Sequence, residues 1–244
     1  MTGKDYPDWG GYPVSGQSYP LKDLAEAVVR LGSPVIYDRS GAVALMESFE
    51  FGLGHCEVSQ GGGGSLPVLD NTHWNTNGFS ALLAIPAGAG HWSMIDMYVP
   101  VPPVSLWGVS CRFTKPVAEQ TFVMGLVMSD SINDYTASLL YQMDVNRWLY
   151  KDASGGTAVL LTNWICPDND TLFHFVKMVL DPVSHTYVRV IIDDTVIDMS
   201  GVPYYLTAPV AYSCIDVSIY LLATGGGASH VNIDDVILTY NESD

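Results

Sequence analysis

The stretch Cys214–Tyr240, CIDVSIYLLATGGGASHVNIDDVILTY, decides the fold of this 244-residue chain. Two β-rich runs flank a glycine-rich turn, and apolar and polar residues roughly alternate through Asn232–Tyr240. Alternation with a period of two is typical of a strand that packs one face on a core and turns the other towards solvent. Such a strand usually closes a sheet that began much earlier, and we expect it to pair with Ala44–Phe51 (ALMESFEF).

Short strand-like runs of similar length fill the chain upstream of this stretch. Gly, Pro, Asn and Asp separate them, and no helix-period segment lies between them, so we predict an all-β sandwich or barrel and no parallel α/β sheet. Hairpin turns are predicted at Asp193-Asp194 and at Asp144–Asn146, and the tract Gly61–Ser65 (GGGGS) is interpreted as a flexible loop. The predicted strands are Ala44–Phe51, Ser80–Ile85, Ser93–Val99, Leu106–Thr114, Thr121–Ser129, Thr136–Asp144, Arg147–Lys151, Ala158–Leu161, Leu172–Asp181, Thr186–Ile192, Thr195–Met199, Cys214–Ala223 and Ser229–Tyr240.

Composition indicates a core-forming chain with an acidic surface. The hydrophobic fraction is 48%, and 26 acidic against 10 basic residues give a formal net charge of −16. This balance argues against direct nucleic-acid binding, which needs a basic face, and against binding to anionic membranes. No apolar run approaches the roughly 20 residues of a membrane helix. Met1–Tyr6 lacks the pattern of a secretory signal.

The cysteines are widely scattered and show no CxxC spacing, so a zinc site is disfavoured and buried free thiols are the default. A disulfide stays open as an alternative, because sequence alone cannot pair them. The cysteines are Cys56, Cys111, Cys166 and Cys214.

Residues 1–20 are rich in Tyr, Trp, Gly and Pro and lack aliphatic periodicity. Because aromatic residues are favoured interface anchors, we predict an extended arm that docks on another surface, with a disordered tail as the alternative. Pro20–Leu31 is the one predicted helix, with apolar residues on one face and Gly32 after its end. The predicted boundary separates an arm and helix, residues 1–41, from a sandwich domain, residues 42–244. The candidate partner-binding residues are Tyr6, Trp9, Tyr12, Tyr19, Leu21, Leu24 and Val28.

Two resemblances add to this interpretation. Glu47–Glu50, the hairpin Tyr187–Val196 and Asn232–Tyr240, in that order, resemble the motifs of jelly-roll domains of the concanavalin/laminin-G type, which implies a jelly-roll β-sandwich. Asp23–Gly41, leading into Met46–Glu50, looks like the start of bacteriophage virion proteins in which an arm and helix precede such a domain. That likeness implies a virion protein, made in the host cytoplasm, that binds major capsid or tail proteins. A symmetric homo-oligomer is expected, with a trimer as one arrangement.

Jelly-roll domains of the carbohydrate-binding kind often hold a structural Ca²⁺ between the first and last strands, and this resemblance implies a candidate calcium site. Glu47, Glu50, Asp234 and Asp235 would supply carboxylate oxygens if those strands pair. Alternation points Asp234 and Asp235 to opposite faces, so the four can converge only if a bulge intervenes. The alternative is that these acids are solvated or protect a sheet edge, with no cofactor bound.

Carbohydrate binding is a second candidate. Trp148 and Tyr150 are two residues apart on one predicted strand, so they share a face and could stack on a sugar; the alternative is core packing. The acids Glu47 and Glu50 lack the spacing for a glycosidase pair on one strand face, so we expect no enzymatic activity. We therefore predict a non-enzymatic virion structural protein that decorates or stabilises a capsid, or is associated with a tail. The alternative is a lectin-like jelly-roll module for adhesion to surface or host glycans.

Overall fold

The structure is a computed structural model, and it describes residues 41–75, 78–100, 105–115, 120–130, 133–164, 169–207 and 213–242. These residues form two eight-stranded sheets of antiparallel strands, and no helix occurs among them. The strands are β1 (Ala42–Glu47), β2 (Glu57–Gly61), β3 (Val68–Asp70), β4 (Ser80–Ile85), β5 (Ala89–Val99), β6 (Trp107–Lys115), β7 (Gln120–Asp130), β8 (Asp134–Gln142), β9 (Arg147–Lys151), β10 (Thr157–Leu161), β11 (Asn169–Asp181), β12 (Thr186–Ile192), β13 (Thr195–Pro203), β14 (Tyr205–Thr207), β15 (Ser213–Thr224) and β16 (Ser229–Tyr240).

The chain crosses repeatedly between the two sheets. Sheet 1 has the order β13-β12-β11-β6-β16-β4-β3, with β1 also paired to β16. Sheet 2 has the order β10-β9-β8-β7-β15-β5-β2, with β14 also paired to β8. The predicted all-β jelly-roll sandwich is therefore confirmed. No helix in the described ranges is long and apolar enough to span a membrane.

The predicted pairing of the first and last strands is confirmed, although β1 is shorter than expected. Its register runs from Ala42 opposite Tyr240 to Glu47 opposite Val236. The strand ends at Glu47 because Phe49, two residues on, has a φ of 59°, which lies in the left-handed region and is incompatible with an extended strand. The Phe49 side chain is fully buried and helps to close the core.

Alternate residues of both sheets form one core between them. Phe113 of β6 stacks on Phe122 of β7 with ring centroids 4.5 Å apart, which joins the two sheets at their centre. In β5 the side chains of Ile95 and Met97 point into this core, so their neighbour Asp96 points to the outer face of sheet 2. In β15 the same alternation turns Val217 and Ile219 into the core and Ser218 to the outer face.

The hairpin at Asp193-Asp194 is confirmed, with Ile192 paired to Thr195 across a two-residue turn. Asp193 takes a φ of 50°, and its carboxylate accepts a hydrogen bond from the Phe175 backbone N–H at 2.9 Å. This bond to a neighbouring strand explains how aspartate serves at a turn position where glycine or asparagine is more usual.

The strands β2, β3 and β14 were not expected from the pattern, since each is short and lies beside glycine- or proline-rich sequence. The tract interpreted as a flexible loop forms a tight turn after β2, in which the Gly64 N–H donates to the Gly61 carbonyl at 3.0 Å. A Cβ on Gly61 would lie 2.2 Å from Nε1 of Trp92. Glycine is therefore needed there for the close approach of the indole ring.

Candidate functional site

Three of the four carboxylates predicted to bind calcium, those of Glu47, Asp234 and Asp235, accept structural hydrogen bonds. Glu47 is buried, and its Oε1 accepts a bond from the Phe49 N–H at 2.7 Å, while Oε2 lies 3.3 Å from Nδ1 of His55. Glu50 is exposed in the turn that follows. These two acids therefore lie in different environments, and Glu47 stabilises the left-handed turn at Phe49.

Asp234 and Asp235 lie at a bulge in β16, where the register against β6 shifts between Asp234 and Ile237. Asp235 has a φ of 49°, which breaks the alternation and allows both carboxylates to reach one loop residue. Asp234 Oδ2 accepts from the Asn75 N–H at 2.8 Å, and Asp235 Oδ2 accepts from the Asn75 side-chain amide at 2.7 Å. Asp235 also faces Arg112, whose Nε lies 3.6 Å away.

Within the described ranges no group of three or more His, Cys, Asp or Glu side chains is arranged to hold a metal ion. The predicted convergence of Glu47, Glu50, Asp234 and Asp235 on calcium is therefore not observed. The bulge that the site required does exist, but it directs the two aspartates to Asn75, where they hold a loop against the sheet.

Trp148 and Tyr150 share a face of β9, as their spacing predicts, and it is the face that packs on the opposite sheet. Trp148 is 0% exposed and stacks on Tyr141 with centroids 4.9 Å apart. Tyr150 packs edge-on against Tyr187 at 5.7 Å. The Trp148 ring is therefore not accessible for stacking on a sugar. The segments predicted as an arm and a helix, with the candidate residues Tyr6, Trp9, Tyr12, Tyr19, Leu21, Leu24 and Val28, lie outside the described residues.

The outer face of sheet 2 carries a concentration of aromatic and acidic side chains. An apolar row crosses it in register, defined by Met94, Tyr220, Val123, Leu140 and Leu149 on β5, β15, β7, β8 and β9. At one end of this row is an open depression of about 380 Å³, which lies between β5 and β15. It is lined by Trp92, Met94, Tyr220 and Leu222.

A polar row runs beside the apolar row on the same face and in the same direction. It is defined by Glu57, Asp96, Ser218, Gly125 and Ser138, each opposite the next across neighbouring strands. A Cβ on Gly125 would lie 2.7 Å from the Ser218 hydroxyl and 3.4 Å from the Ser138 hydroxyl. Glycine at this position therefore leaves room for the Ser218 hydroxyl, with the Ser138 hydroxyl nearby.

Asp216 lies on the same face, diagonal to Asp96 across the β5–β15 pair, since Asp96 is opposite Ser218 and Asp216 is opposite Tyr98. Burial raises the pKa of Asp96 to about 6, and the nearby Glu57 carboxylate adds to this effect. Burial also raises the pKa of Asp216 to about 7, with further contributions from Asp96 and Glu57. Perturbed carboxyl groups beside an aromatic depression are the kind of arrangement found at functional sites.

Sequence reasoning did not select Asp96, Asp216 or Tyr220 as site residues. A signal was present, because each aspartate follows an isoleucine inside an otherwise apolar strand, in SMIDMYV and CIDVSIY. An acid at such a position predicts an outward-facing group on a strand with little other polarity. Their convergence depends on the pairing of β5 with β15, which no local pattern specifies.

The two-sheet fold is shared with solved structures of carbohydrate-active and carbohydrate-recognising proteins. An endo-β-1,4-glucuronan lyase from the fungus Trichoderma reesei matches with a TM-score of 0.58 at 11% identity, covering 82% of this chain and 96% of that chain. The carbohydrate esterase vb_24B_21 of the Shiga toxin-encoding bacteriophage phi24B matches with a TM-score of 0.51 at 15% identity, and the match covers 82% of this chain and 99% of the esterase chain. The carbohydrate recognition domain of Emp46p, in its potassium-bound form, matches with a TM-score of 0.50 at 8% identity, and the match covers 83% of this chain and 95% of that domain's chain. No known protein-family profile matches the chain, and no curated protein matches it in sequence.

These identities are low, so the matches establish a common fold and leave the activity of the chain to its own residues. They contradict the expectation of a non-enzymatic protein, because a lyase and an esterase are built on the same fold. The Emp46p domain is a recognition domain of that fold. The chain therefore has the jelly-roll sandwich that both glycan-active enzymes and glycan-recognising domains use.

Proposed function

We propose that the chain binds a carbohydrate across the outer face of sheet 2. The observation that carries this proposal is the depression lined by Trp92, Met94, Tyr220 and Leu222 directly beside the polar row. Its volume of about 380 Å³ is within the range of small-molecule sites, about 300–1,000 Å³. The shared fold with carbohydrate-active proteins supports the same choice of ligand.

The two rows suit the two kinds of surface on a sugar. A pyranose ring has an apolar C–H face that packs on aromatic rings, as Trp92 and Tyr220 would provide, and these half-buried side chains are held in place by their own strands. Its hydroxyl groups need hydrogen-bond partners, which the Ser218 and Ser138 hydroxyls offer. A sugar seated in the depression would contact Tyr220 of the apolar row and Ser218 of the polar row at once.

The proposal is tested by a glycan array followed by titration calorimetry on the best ligand. Tyr220→Ala and Trp92→Ala should each weaken binding by about tenfold or more, as expected for the loss of a stacking ring worth about 1–2 kcal/mol. Trp74→Ala is the matched control, because Trp74 is 48% exposed and does not line the depression. A blank array, or a ligand whose affinity is unchanged in both variants, would refute the assignment of this face.

A glycan-binding role is compatible with a virion setting, in which a surface protein attaches to host glycans. The sequence likeness of Asp23–Gly41 to virion proteins favours that setting, and a phage esterase is among the proteins with this fold. Capsid decoration, tail association and oligomerisation stay predictions, because the residues on which they depend lie outside the described part of the chain.

A further inference from the structure

A cluster of three carboxyl groups, Glu57, Asp96 and Asp216, lies beside the aromatic depression on the outer face of sheet 2. The Asp96 side chain is only 6% exposed, and no described residue donates a hydrogen bond to it or places a cation against it. One carboxylate oxygen of Asp216 is buried and likewise lacks a hydrogen-bond partner among the described residues. Acidic groups are therefore buried here with no donor for Asp96 or for this Asp216 oxygen among the described residues, which is costly unless a ligand supplies one.

The surroundings of this cluster are negative throughout the described residues. The pKa of Asp216 is about 7 because of burial and then the neighbouring acids, and no positive group of the described ranges lowers it. The nearest basic side chains on this face, Arg147 and Lys151, are on β9, three strands or about 14 Å from β15. Both are engaged there, since Arg147 Nε donates to Gln142 at 2.9 Å and Lys151 lies over the Tyr205 ring at 4.8 Å.

The cluster is continuous with the proposed glycan-binding face, on which this inference rests. Asp96 follows Met94 by two residues on β5, and Ser218 precedes Tyr220 by two residues on β15, so acid and aromatic groups occupy adjacent rows. A sugar seated in the depression would place a substituent, or its next ring, against the carboxyl groups. We propose that the Glu57–Asp96–Asp216 cluster is a subsite for the protonated amine of an amino sugar.

Charge complementarity separates this ligand class from other glycans. An ammonium group can donate up to three hydrogen bonds and would satisfy the buried carboxylate oxygens by charge-assisted bonds. The carboxylate of a uronic acid would instead meet two or three acids with no cation in between, so like-charge repulsion disfavours it. A neutral sugar can supply hydroxyl donors but gains no charge attraction.

The experiment compares four tetrasaccharides by titration calorimetry at about pH 6.5, where Asp96 is largely ionised and a sugar amine retains much of its charge. They are β-1,4-linked oligomers of glucosamine, of N-acetylglucosamine, of glucose and of glucuronic acid. The glucosamine oligomer should bind about tenfold or more tightly than the glucose oligomer, and the glucuronic acid oligomer more weakly than both. In the double variant Asp96→Asn/Asp216→Asn this advantage should disappear while the affinity for the glucose oligomer is retained.

The control is Glu50→Gln/Asp194→Asn, which removes at least as much negative charge at two exposed acids away from the face. It should leave the ranking of the four ligands unchanged. At about pH 4.5 the glucosamine advantage should fall, because Asp96 and Asp216 are then neutral. The other titratable groups around the cluster are Cys56, Tyr98, Asp134 and Cys214. Burial raises the pKa of the Cys56 and Cys214 thiols, so the two thiols stay uncharged between about pH 4.5 and about pH 6.5.

The outcomes distinguish this inference from the function on which it rests. Binding of the glucose oligomer with no gain for glucosamine, or a preference for glucuronic acid, would overturn the amino-sugar subsite and leave the glycan-binding face intact. Binding of none of the four oligomers would count against both. An equal loss of glucosamine preference in the exposed-acid control would assign the effect to net charge and refute the role of Asp96 and Asp216.

Discussion

Asp216 shows how burial of one carboxyl group links the candidate site to the stability of the protein. Its pKa is raised from 3.8 to about 7 in the folded chain, by burial first and by Asp96 and Glu57 next. Below the unfolded value both states bind the proton and stability is unaffected. As the pH rises towards 7 the unfolded chain releases the proton and the folded chain keeps it, so the native state loses stability over that interval.

We therefore expect Asp216→Asn to stabilise the protein at about pH 8 by on the order of 1–3 kcal/mol, and to have little effect at about pH 3.5. Urea denaturation of wild type and variant at the two pH values measures this difference. Asp198→Asn is a control of opposite sign, because hydrogen bonds from Ser200 lower the pKa of the exposed Asp198 carboxyl group. Destabilisation by Asp216→Asn at the higher pH would mean that the charged form is well accommodated, contrary to its unpartnered position.

At the scale of elements, the turn that follows β2 positions the Trp92 side chain. A Cβ on Gly61 would lie 2.2 Å from Nε1 and 2.4 Å from Cε2 of the indole ring. Gly64 also approaches closely, since its Cβ would lie 2.0 Å from the Trp92 carbonyl oxygen. The glycine tract therefore allows the close packing of Trp92, which lines one side of the depression.

Gly61→Ala should displace the indole ring, reduce glycan affinity to nearly that of Trp92→Ala, and lower the free energy of unfolding by about 1–3 kcal/mol through overpacking. Chemical denaturation and calorimetric titration measure the two effects. Gly54→Ala is the matched control, because a Cβ there meets no atom within 4 Å and we expect a change below about 0.5 kcal/mol. Unchanged glycan affinity in Gly61→Ala would show that Trp92 is not part of the binding surface.

Strand positions were largely predictable from the sequence, because alternating apolar and polar residues within each short segment indicate a strand and separate the residues of its two faces. The pairing of β1 with β16 and the turn at Asp193-Asp194 were both anticipated from such patterns. At Asp234 and Asp235, which were predicted as calcium ligands, a bulge changes the direction of the side chains, and both carboxylates accept hydrogen bonds from Asn75, more than 150 residues away in sequence. No local pattern indicated this contact, and calcium binding stays a prediction.

The candidate site was not predictable in the same way. Asp96 and Asp216 are separated in sequence by nine other strands of both sheets and become neighbours only when β5 pairs with β15. Trp148 was selected for its spacing to Tyr150, which correctly put both on one face of β9. Whether that face is turned to solvent or to the other sheet is decided by the stacking of the sheets, which a single strand does not encode.

For the whole molecule, the charge distribution predicts an optimum of stability on the acid side of neutrality. Hydrogen bonds lower the pKa of Asp181 despite its partial burial, so its contribution is lost only as the pH falls below the unfolded value of 3.8. Asp96 and Asp216 act in the opposite sense and destabilise the fold as the pH rises towards 7. The net charge of −16 adds a general repulsion that grows with ionisation.

We expect the urea midpoint to be highest between about pH 4 and pH 6 and to decline towards pH 8. Two causes of the decline can be separated by salt, because exposed charges are screened over a Debye length of about 10 Å at 0.1 M while buried acids are screened much less. Added NaCl should therefore recover part of the loss, and Asp96→Asn/Asp216→Asn should recover the part that salt does not. Complete recovery of the urea midpoint by salt alone would mean that general repulsion accounts for the pH dependence. It would also mean that the Asp96 and Asp216 carboxyl groups are solvated, which contradicts a buried subsite for a cationic ligand.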